Sequence, residues 1–256
     1  MATLIFRGET LLLDSAGALV WPRLSLLAVA DLHLEKGSAC AGTGQLVPPW
    51  DSQATLDRLS GLVARHAPQT LVAVGDSFHD AQAATRLSAA DRGVLASIGR
   101  ATRIIWVRGN HDPHPPGGVP GEACALFEAA GLLFRHQALR ELNADSPGEV
   151  SGHFHPKARV ATRAGEIVRP CFMTDGDRIM LPSFGAYTGG LDVRSPAIAR
   201  HYRQGGHAYL LGRDRVFCFA IPAAGDARPA LPCDEAAPSA AGFRAPNAAD
   251  RMHGLG

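Results

Sequence analysis

The sequence predicts an α/β protein with two sheets, and three observations carry that expectation. Apolar runs at 26–30, 70–74 and 103–107 each stop at a polar turn, as buried strands do. Segments between them have helical spacing, at 52–66 with Leu56, Leu59, Leu62 and Val63 on one face, and at about 85–98. Beyond Gly152 the pattern changes to short strands around 158–162, 166–173, 178–182, 207–211 and 215–221, split by turns such as Asp175-Gly176-Asp177. That change predicts a second, largely antiparallel sheet.

The elements follow in order. Residues 4–6, 10–13 and 18–20 read as short strands joined at Arg7-Gly8 and Asp14-Ser15-Ala16-Gly17. Asp51 is placed to cap the helix at 52–66. A Pro/Gly-rich loop at 113–121 precedes a segment read as helical at 123–130 and an extended one at 131–135. From Pro222 the chain is rich in Ala and Pro with almost no large apolar residue, too little to repay ordering. We therefore expect one domain over 1–221 and a disordered tail over 222–256.

Of the 256 residues 46% are hydrophobic and 19% charged, enough apolar material for a sizeable core. Lys and Arg number 25 against 24 Asp and Glu; this balance excludes the strong positive field of a general nucleic-acid coat protein. Cys40, Cys124, Cys171, Cys218 and Cys233 form no C-x-x-C pair and leave an odd count, which argues against a disulfide framework or a thiolate zinc site and fits a reducing cytoplasm. Charges at Arg7 and Glu9 interrupt any secretory core, and the apolar run 24–30 is too short to cross a bilayer. No membrane role is expected.

Four polar clusters stand out: Asp31-Leu32-His33, Gly75-Asp76-Ser77-Phe78-His79-Asp80, Gly109-Asn110-His111-Asp112 and Gly152-His153-Phe154-His155-Pro156. Strand ends are where ligands bind in open α/β sheets, because loops converge there on fixed positions. Carboxylate and carbonyl oxygens mixed with imidazoles suit Mn, Fe or Zn. In an extended segment Asp31 and His33 share a face, as do His153 and His155. Asp76, just past a strand, is placed to offer its two carboxylate oxygens to two cations.

The order D-x-H, G-D, G-N-H-D, H, G-H-x-H resembles the calcineurin-like metallophosphoesterase superfamily. The resemblance implies a four-layer α/β/β/α sandwich of two mixed sheets and two divalent metals. Asp31, His33, Asp76 and His155 would hold the first metal, and Asp76, Asn110, His136 and His153 the second. It further implies that a hydroxide held between the metals is the nucleophile, and that His111, oriented by Asp112, protonates the leaving oxygen. A narrower resemblance rests on Asp31-Leu32-His33-Leu34-Glu35-Lys36-Gly37, Gly75 to Asp80, Ser151 to Pro156 and Pro182-Ser183-Phe184-Gly185-Ala186-Tyr187-Thr188-Gly189-Gly190. These segments are similar to those of the bacterial ligase-associated DNA-damage-response metallophosphoesterases. That likeness implies a Mn-dependent phosphodiesterase or DNA endonuclease acting in repair beside an ATP-dependent DNA ligase and a DEXH-box helicase.

Lys36, His79 and Arg108 are candidate substrate contacts. His79 stands where many members of the superfamily carry Asp or Arg. Arg100, Arg103 and Arg108, with Arg194, Arg200 and Arg203, read either as a basic rim or as scattered solubilising charge. Gly185, Gly189 and Gly190 read as turn residues, and His114 and His201 as surface residues. The alternative functions are a phosphomonoesterase, a nucleotide pyrophosphatase, or a scaffold for ligase and helicase partners.

Overall fold

Period-two alternation in three neighbouring strands sets the architecture. In β4 (Leu26–Ala30), β5 (Thr70–Val74) and β6 (Arg103–Val107), the residues of one face, Leu27, Val29, Leu71, Ala73, Ile104 and Trp106, pack with helices. Their alternates Leu26, Ala28, Ala30, Val72, Val74, Ile105 and Val107 enter a second core. Both faces are covered, so these strands are apolar throughout and run parallel, as strands buried on two sides do. This computed structural model describes residues 1–45, 47–113, 118–143, 145–162 and 165–233.

The first sheet begins with β1 (Ala2–Phe6), β2 (Glu9–Leu13) and β3 (Leu19–Trp21), an antiparallel ribbon leading into β4. It continues through β5 and β6 to β7 (Glu122–Cys124). The helices on its outer face are α2 (Asp51–His66) and α4 (Ala89–Ala101), with the shorter α1 (Lys36–Gly42) and α3 (Ala83–Arg86) near the strand ends.

The second sheet holds β8 (Phe127–Ala129), β9 (Leu132–Arg135), β10 (Gly148–Ser151), β12 (Gly165–Thr174), β13 (Arg178–Met180), β14 (Gly206–Leu211), β15 (Val216–Ile221) and β16 (Leu231–Pro232). Its order is β16-β15-β14-β12-β13-β10-β9-β8, with β11 (Lys157–Thr162) hairpinned onto β12. Phe6, Leu13 and Trp21 from the first sheet meet Phe134, Phe172 and Leu181 from the second, all fully buried. Each large side chain contributes ~1.5–3 kcal/mol by leaving water. A third cluster on the far side, including Met173, Met180, Ile198 and Tyr202, seats the short α5 (Pro196–Ala199) and completes the α/β/β/α layering. Among the described residues no helix is long and apolar enough to cross a membrane.

Several local expectations change. The helix expected at 85–98 is broken: Leu87 is extended (ψ 133°) and the Ser88 Oγ accepts the Asp91 N–H at 3.0 Å, starting α4 afresh. The segment 123–130 is not helical but supplies β7 and β8, one edge strand to each sheet; tertiary pairing overrides a weak local pattern. Asp51 does not cap α2. Its Oδ2 accepts the Gly37 N–H at 3.0 Å, tying α1 to the start of α2. The second sheet is largely antiparallel, as expected, and mixed, because β10 lies parallel to both β9 and β13.

Two further points concern cysteines and the tail. Cys218 and Cys233 form a disulfide with Cα atoms 5.3 Å apart, contrary to the expectation from spacing. The pairing of Phe219 with Pro232 and Ala220 with Leu231 sets the two cysteines opposite each other, which only the fold reveals. Of the tail read from residue 222, residues 222–233 are described and include β16; residues 234–256 lie outside the described residues.

Candidate metal centre

Two sets of parallel strands end level and face the same place. Ala30, Val74 and Val107 are in register, and the chain continues into Asp31, Gly75-Asp76 and Gly109-Asn110. In the second sheet Arg135 and Ser151 are in register, and the next residues are His136 and Gly152-His153. The two ends are tied together by the His153 N–H, which donates to Asp31 Oδ2 at 2.8 Å, while the Gly152 N–H donates to the His136 carbonyl at 2.9 Å and holds the β9 and β10 ends side by side.

The backbone here is strained where the ligand candidates sit. Asp31, His33, Asp76, His153 and His155 all have positive φ, between 37° and 71°. They account for half of the ten non-glycine residues in that region among the described residues. A left-handed residue costs about 1–2 kcal/mol, and such strain gathers at functional sites. The expected extended geometry for Asp31-x-His33 is therefore replaced by alternating left-handed turns, which still bring both side chains to one side. Close approach also explains two glycines. A Cβ on Gly75 would enter the His136 ring, and one on Gly152 would lie 2.6 Å from Asp31 Oδ2.

The ligating atoms of Asp31, His33 and His155 lie within 4.8 Å of one another, and so do those of Asp76, His136 and His153. Asp76 Oδ2 stands between the groups, 3.9 Å from His33 Nε2 and 3.4 Å from His136 Nε2. Its Oδ1 accepts the His111 N–H at 2.9 Å, so one carboxylate oxygen, not two, faces both groups. Asn110 Oδ1 and His153 Nδ1 approach His136 Nε2 at 2.7 and 2.9 Å.

These atoms suit divalent cations. A single imidazole N–H at His136 Nε2 can serve only one of the atoms crowding it, whereas a cation accepts lone pairs from all of them. Buried Asp31 Oδ1, His136 Nδ1 and His155 Nε2 have no hydrogen-bond partner among the described residues. Burial, aided by His155, His111 and Lys36, pushes the His33 pKa down to about 2. Burial and His136 lower that of His153. Neutral imidazole is the form that ligates metal.

The neighbouring residues are placed as follows. His111 is exposed and its Nδ1 donates to the His79 carbonyl at 2.9 Å, with the two rings stacked at 5.3 Å. That bond leaves Nε2 as the nitrogen free to meet a substrate. Asp112, expected to orient His111, does not. Its buried carboxylate accepts the Ser77, Phe78 and Gly109 N–H groups at 2.8, 3.1 and 3.0 Å, clamping two ligand loops together. Burial raises its pKa to about 6 against those three bonds, and Asp76 adds to the rise. His79, not Asp112, fixes the His111 ring. Lys36 opens α1 and its charge helps lower both His33 and His79.

Residues 24–176 match the Calcineurin-like phosphoesterase family model, more than half of the chain. The chain belongs to this family. It is a metal-dependent phosphoester hydrolase with the calcineurin-like fold. The crystal structure of the Pseudomonas putida nuclease MPE is 26% identical and superposes with a TM-score of 0.65 over 84% of this chain and 98% of that one. Yfce, a phosphoesterase from E. coli, is 18% identical over 77% of this chain and 92% of that one, with a TM-score of 0.36. No curated protein matches the sequence.

Sequence reasoning missed other residues around this calcineurin-like site. Arg108, named as a substrate contact, lines a cleft shared with Arg135, Arg140 and Arg200, of which the last was read only as part of a rim. His201, read as a surface residue, is 6% exposed and sits behind that cleft; His114 lies outside the described residues. Arg103 pairs with Glu122 at 2.8 Å and Arg100 with Ser97, so neither faces the site. No local signal marks such a grouping, because 92 residues of chain separate Arg108 from Arg200.

Proposed function

We propose that this chain is a Mn-dependent phosphodiesterase of the nuclease type, acting on DNA. The observation that carries the reading is the position of Asp76 Oδ2 between two separate ligand groups. Asp31, His33, Asp76 and His155 would hold one cation, and Asp76, Asn110, His136 and His153 the other. When bound, such a pair supplies Lewis acidity toward phosphoryl oxygens and acidifies water. The mixture of carboxylate, amide oxygen and imidazole favours Mn over a thiophilic ion.

The chain's own residues do the rest. With Nδ1–H committed to the His79 carbonyl, the protonated His111 Nε2 delivers a proton to the departing oxygen, so the ester is not expelled as a bare alkoxide. Asp112 keeps the Asn110 and Asp76 loops at fixed spacing. Lys36 places a point charge beside His33 and His79, where a phosphate oxygen can meet it. The likeness to a nuclease supports the choice of diester over monoester.

The biological setting is part of the same proposal: DNA repair in the cytoplasm, with an ATP-dependent ligase and a DEXH-box helicase as partners. The Cys218–Cys233 bond makes thiol titration of protein taken from cells a check on location, since a reducing compartment holds those thiols open.

The test is hydrolysis of bis-p-nitrophenyl phosphate, p-nitrophenyl phosphate and DNA with Mn, Fe or Zn added to stripped protein. The wild type is expected to favour the diesters with Mn, and Asp76→Asn to lose at least ~10³-fold in rate. Retained activity in that variant, or a preference for the monoester, overturns the reading.

A further inference from the structure

A cleft of about 530 Å³ opens on Asn110 and His136, beside the group formed by Asp76, His136 and His153. Arg108, Arg135, Arg140 and Arg200 line it, and no carboxylate does among the described residues. Arg108 and Arg140 are exposed, and neither guanidinium has a hydrogen bond or ion pair among the described residues. Arg200 leans over the Phe154 ring at 5.8 Å, and that ring packs on His153 at 4.8 Å, so the cation is held close to a ligand candidate. Leu126 and Leu139 supply an apolar wall, 47% and 40% exposed.

The wall is held in place from behind. The Leu139 N–H donates to Glu149 Oε2 at 2.8 Å, and its carbonyl accepts from Arg178 Nη1 at 2.9 Å and His201 Nδ1 at 3.0 Å. Arg200 Nε donates to His201 Nε2 at 3.2 Å, and His201 Nδ1 also lies 3.1 Å from Arg178 Nη1. Glu149, Arg178 and His201 are 1%, 5% and 6% exposed. Arg135 is partly neutralised, 3.9 Å from Glu149 Oε2. The residues presenting positive charge without an acidic partner among the described residues are thus Arg108, Arg140 and Arg200, beside a Leu139 whose N–H and carbonyl are both bonded.

Unpaired guanidiniums around an exposed apolar wall match one repeating unit of a nucleic-acid strand, with a phosphate for the cations and a sugar or base for the leucines. A phosphomonoester or a small aryl diester offers nothing to this wall. We propose that the Arg108–Arg140–Arg200 cleft binds the nucleotide adjoining the scissile phosphate, and so selects a nucleic-acid strand over small phosphate esters. The inference rests on the phosphodiesterase reading above, and deepens it by naming what the substrate carries beside the bond that breaks.

Two measurements test it. The first is binding of fluorescent DNA and RNA decamers to chelated, metal-free protein at several salt concentrations, which needs no hydrolysis. Each phosphate contact contributes about 0.7 to the slope of log affinity against log salt for a single strand. Arg140→Ala combined with Arg200→Ala is expected to flatten the slope by about 0.7, the share of the one phosphate they hold, and Arg140→Lys with Arg200→Lys to restore most of it. The DNA and RNA arms show which sugar the cleft accepts.

The second is the ratio of kcat/KM for a decamer to that for bis-p-nitrophenyl phosphate. It should fall about tenfold in the double alanine variant, mainly through KM, as expected from the loss of the charge that holds that phosphate. An unchanged slope, an unchanged ratio, or wild-type protein that binds no strand overturns the cleft. A wild type that hydrolyses no diester while the slope still flattens overturns the phosphodiesterase reading and leaves the cleft standing.

Discussion

Among the described residues, carboxylates are buried beside histidines at Asp14 and around Asp31 and Asp76, and the two places are finished differently. At Asp14 every acceptor is served: Oδ1 takes the Ala16 N–H at 2.8 Å, and Oδ2 takes His66 Nε2 at 3.0 Å and Arg65 at 3.3 Å. This closes the β2–β3 turn on the end of α2. Around Asp31 and Asp76 the same residue types crowd together with Asp31 Oδ1, His136 Nδ1 and His155 Nε2 left unserved among the described residues. An unpartnered buried polar group costs ~1–3 kcal/mol, and several ionisable ones gathered around a single point are what a bound cation would complete. Composition alone does not separate a structural acid–histidine pair from a ligand set; completeness of hydrogen bonding does.

The largest expected effect follows from completing the unfinished cluster. Mn added to stripped protein at a thousandfold over its dissociation constant should stabilise the fold by ~4 kcal/mol per site. In differential scanning calorimetry the melting temperature should rise accordingly, by ~2–4 °C per kcal/mol for a chain of this size. Asp14→Asn protein should show the same rise, because Asp14 asks nothing of the metal. A melting temperature indifferent to Mn would erase the contrast between the two places.

A smaller effect tests how tightly the unfinished cluster is built. In Gly152→Ala the new Cβ would lie 2.6 Å from Asp31 Oδ2 and 3.0 Å from the Ala30 Cβ and the Val74 carbonyl. Backbone on one side and the buried Asp31 carboxylate on the other leave no easy relief. Chemical denaturation should show a loss of ~2–3 kcal/mol, and calorimetric titration a weaker Mn affinity. A variant with native stability and native affinity would mean that the two sheet ends are not locked together as the His153–Asp31 bond indicates.

Much of this was legible in the sequence, for physical reasons. Central parallel strands are uniformly apolar, so the stops at Asp31, Gly75-Asp76 and Gly109-Asn110 stood out. Glycine next to an acid or histidine marks a backbone approached closely, and Gly75 and Gly152 are such places. Short strands whose partners are distant were not legible. β10 carries the buried Glu149 and reads as polar, yet it sets His153 level with His136. Residues 123–130 look helical until two different sheets claim their halves. Asp112 lies next to His111, which suggested a partnership, but its carboxylate turns back to the Ser77, Phe78 and Gly109 N–H groups. Adjacency in sequence says little about where a side chain in a tight turn points.

The smallest effect belongs to the finished cluster. Burial opposes ionisation of Asp14, but the Ala16 N–H, His66 and Arg65 outweigh it and hold the carboxyl below its ordinary value. A carboxyl lowered in the folded state adds stability above its unfolded pKa, and that contribution vanishes as pH falls through the folded value. Asp14→Asn keeps an acceptor for Ala16 and loses the charge, so it should be about 1 kcal/mol less stable at pH 7. The gap between wild type and variant, followed by urea unfolding, should close as the medium is acidified past the ordinary carboxylate range toward the lowered native value. A gap that stayed constant or widened in acid would mean that the Asp14 charge does not hold α2 to the turn, and the complete cluster would then be no firmer than the incomplete one.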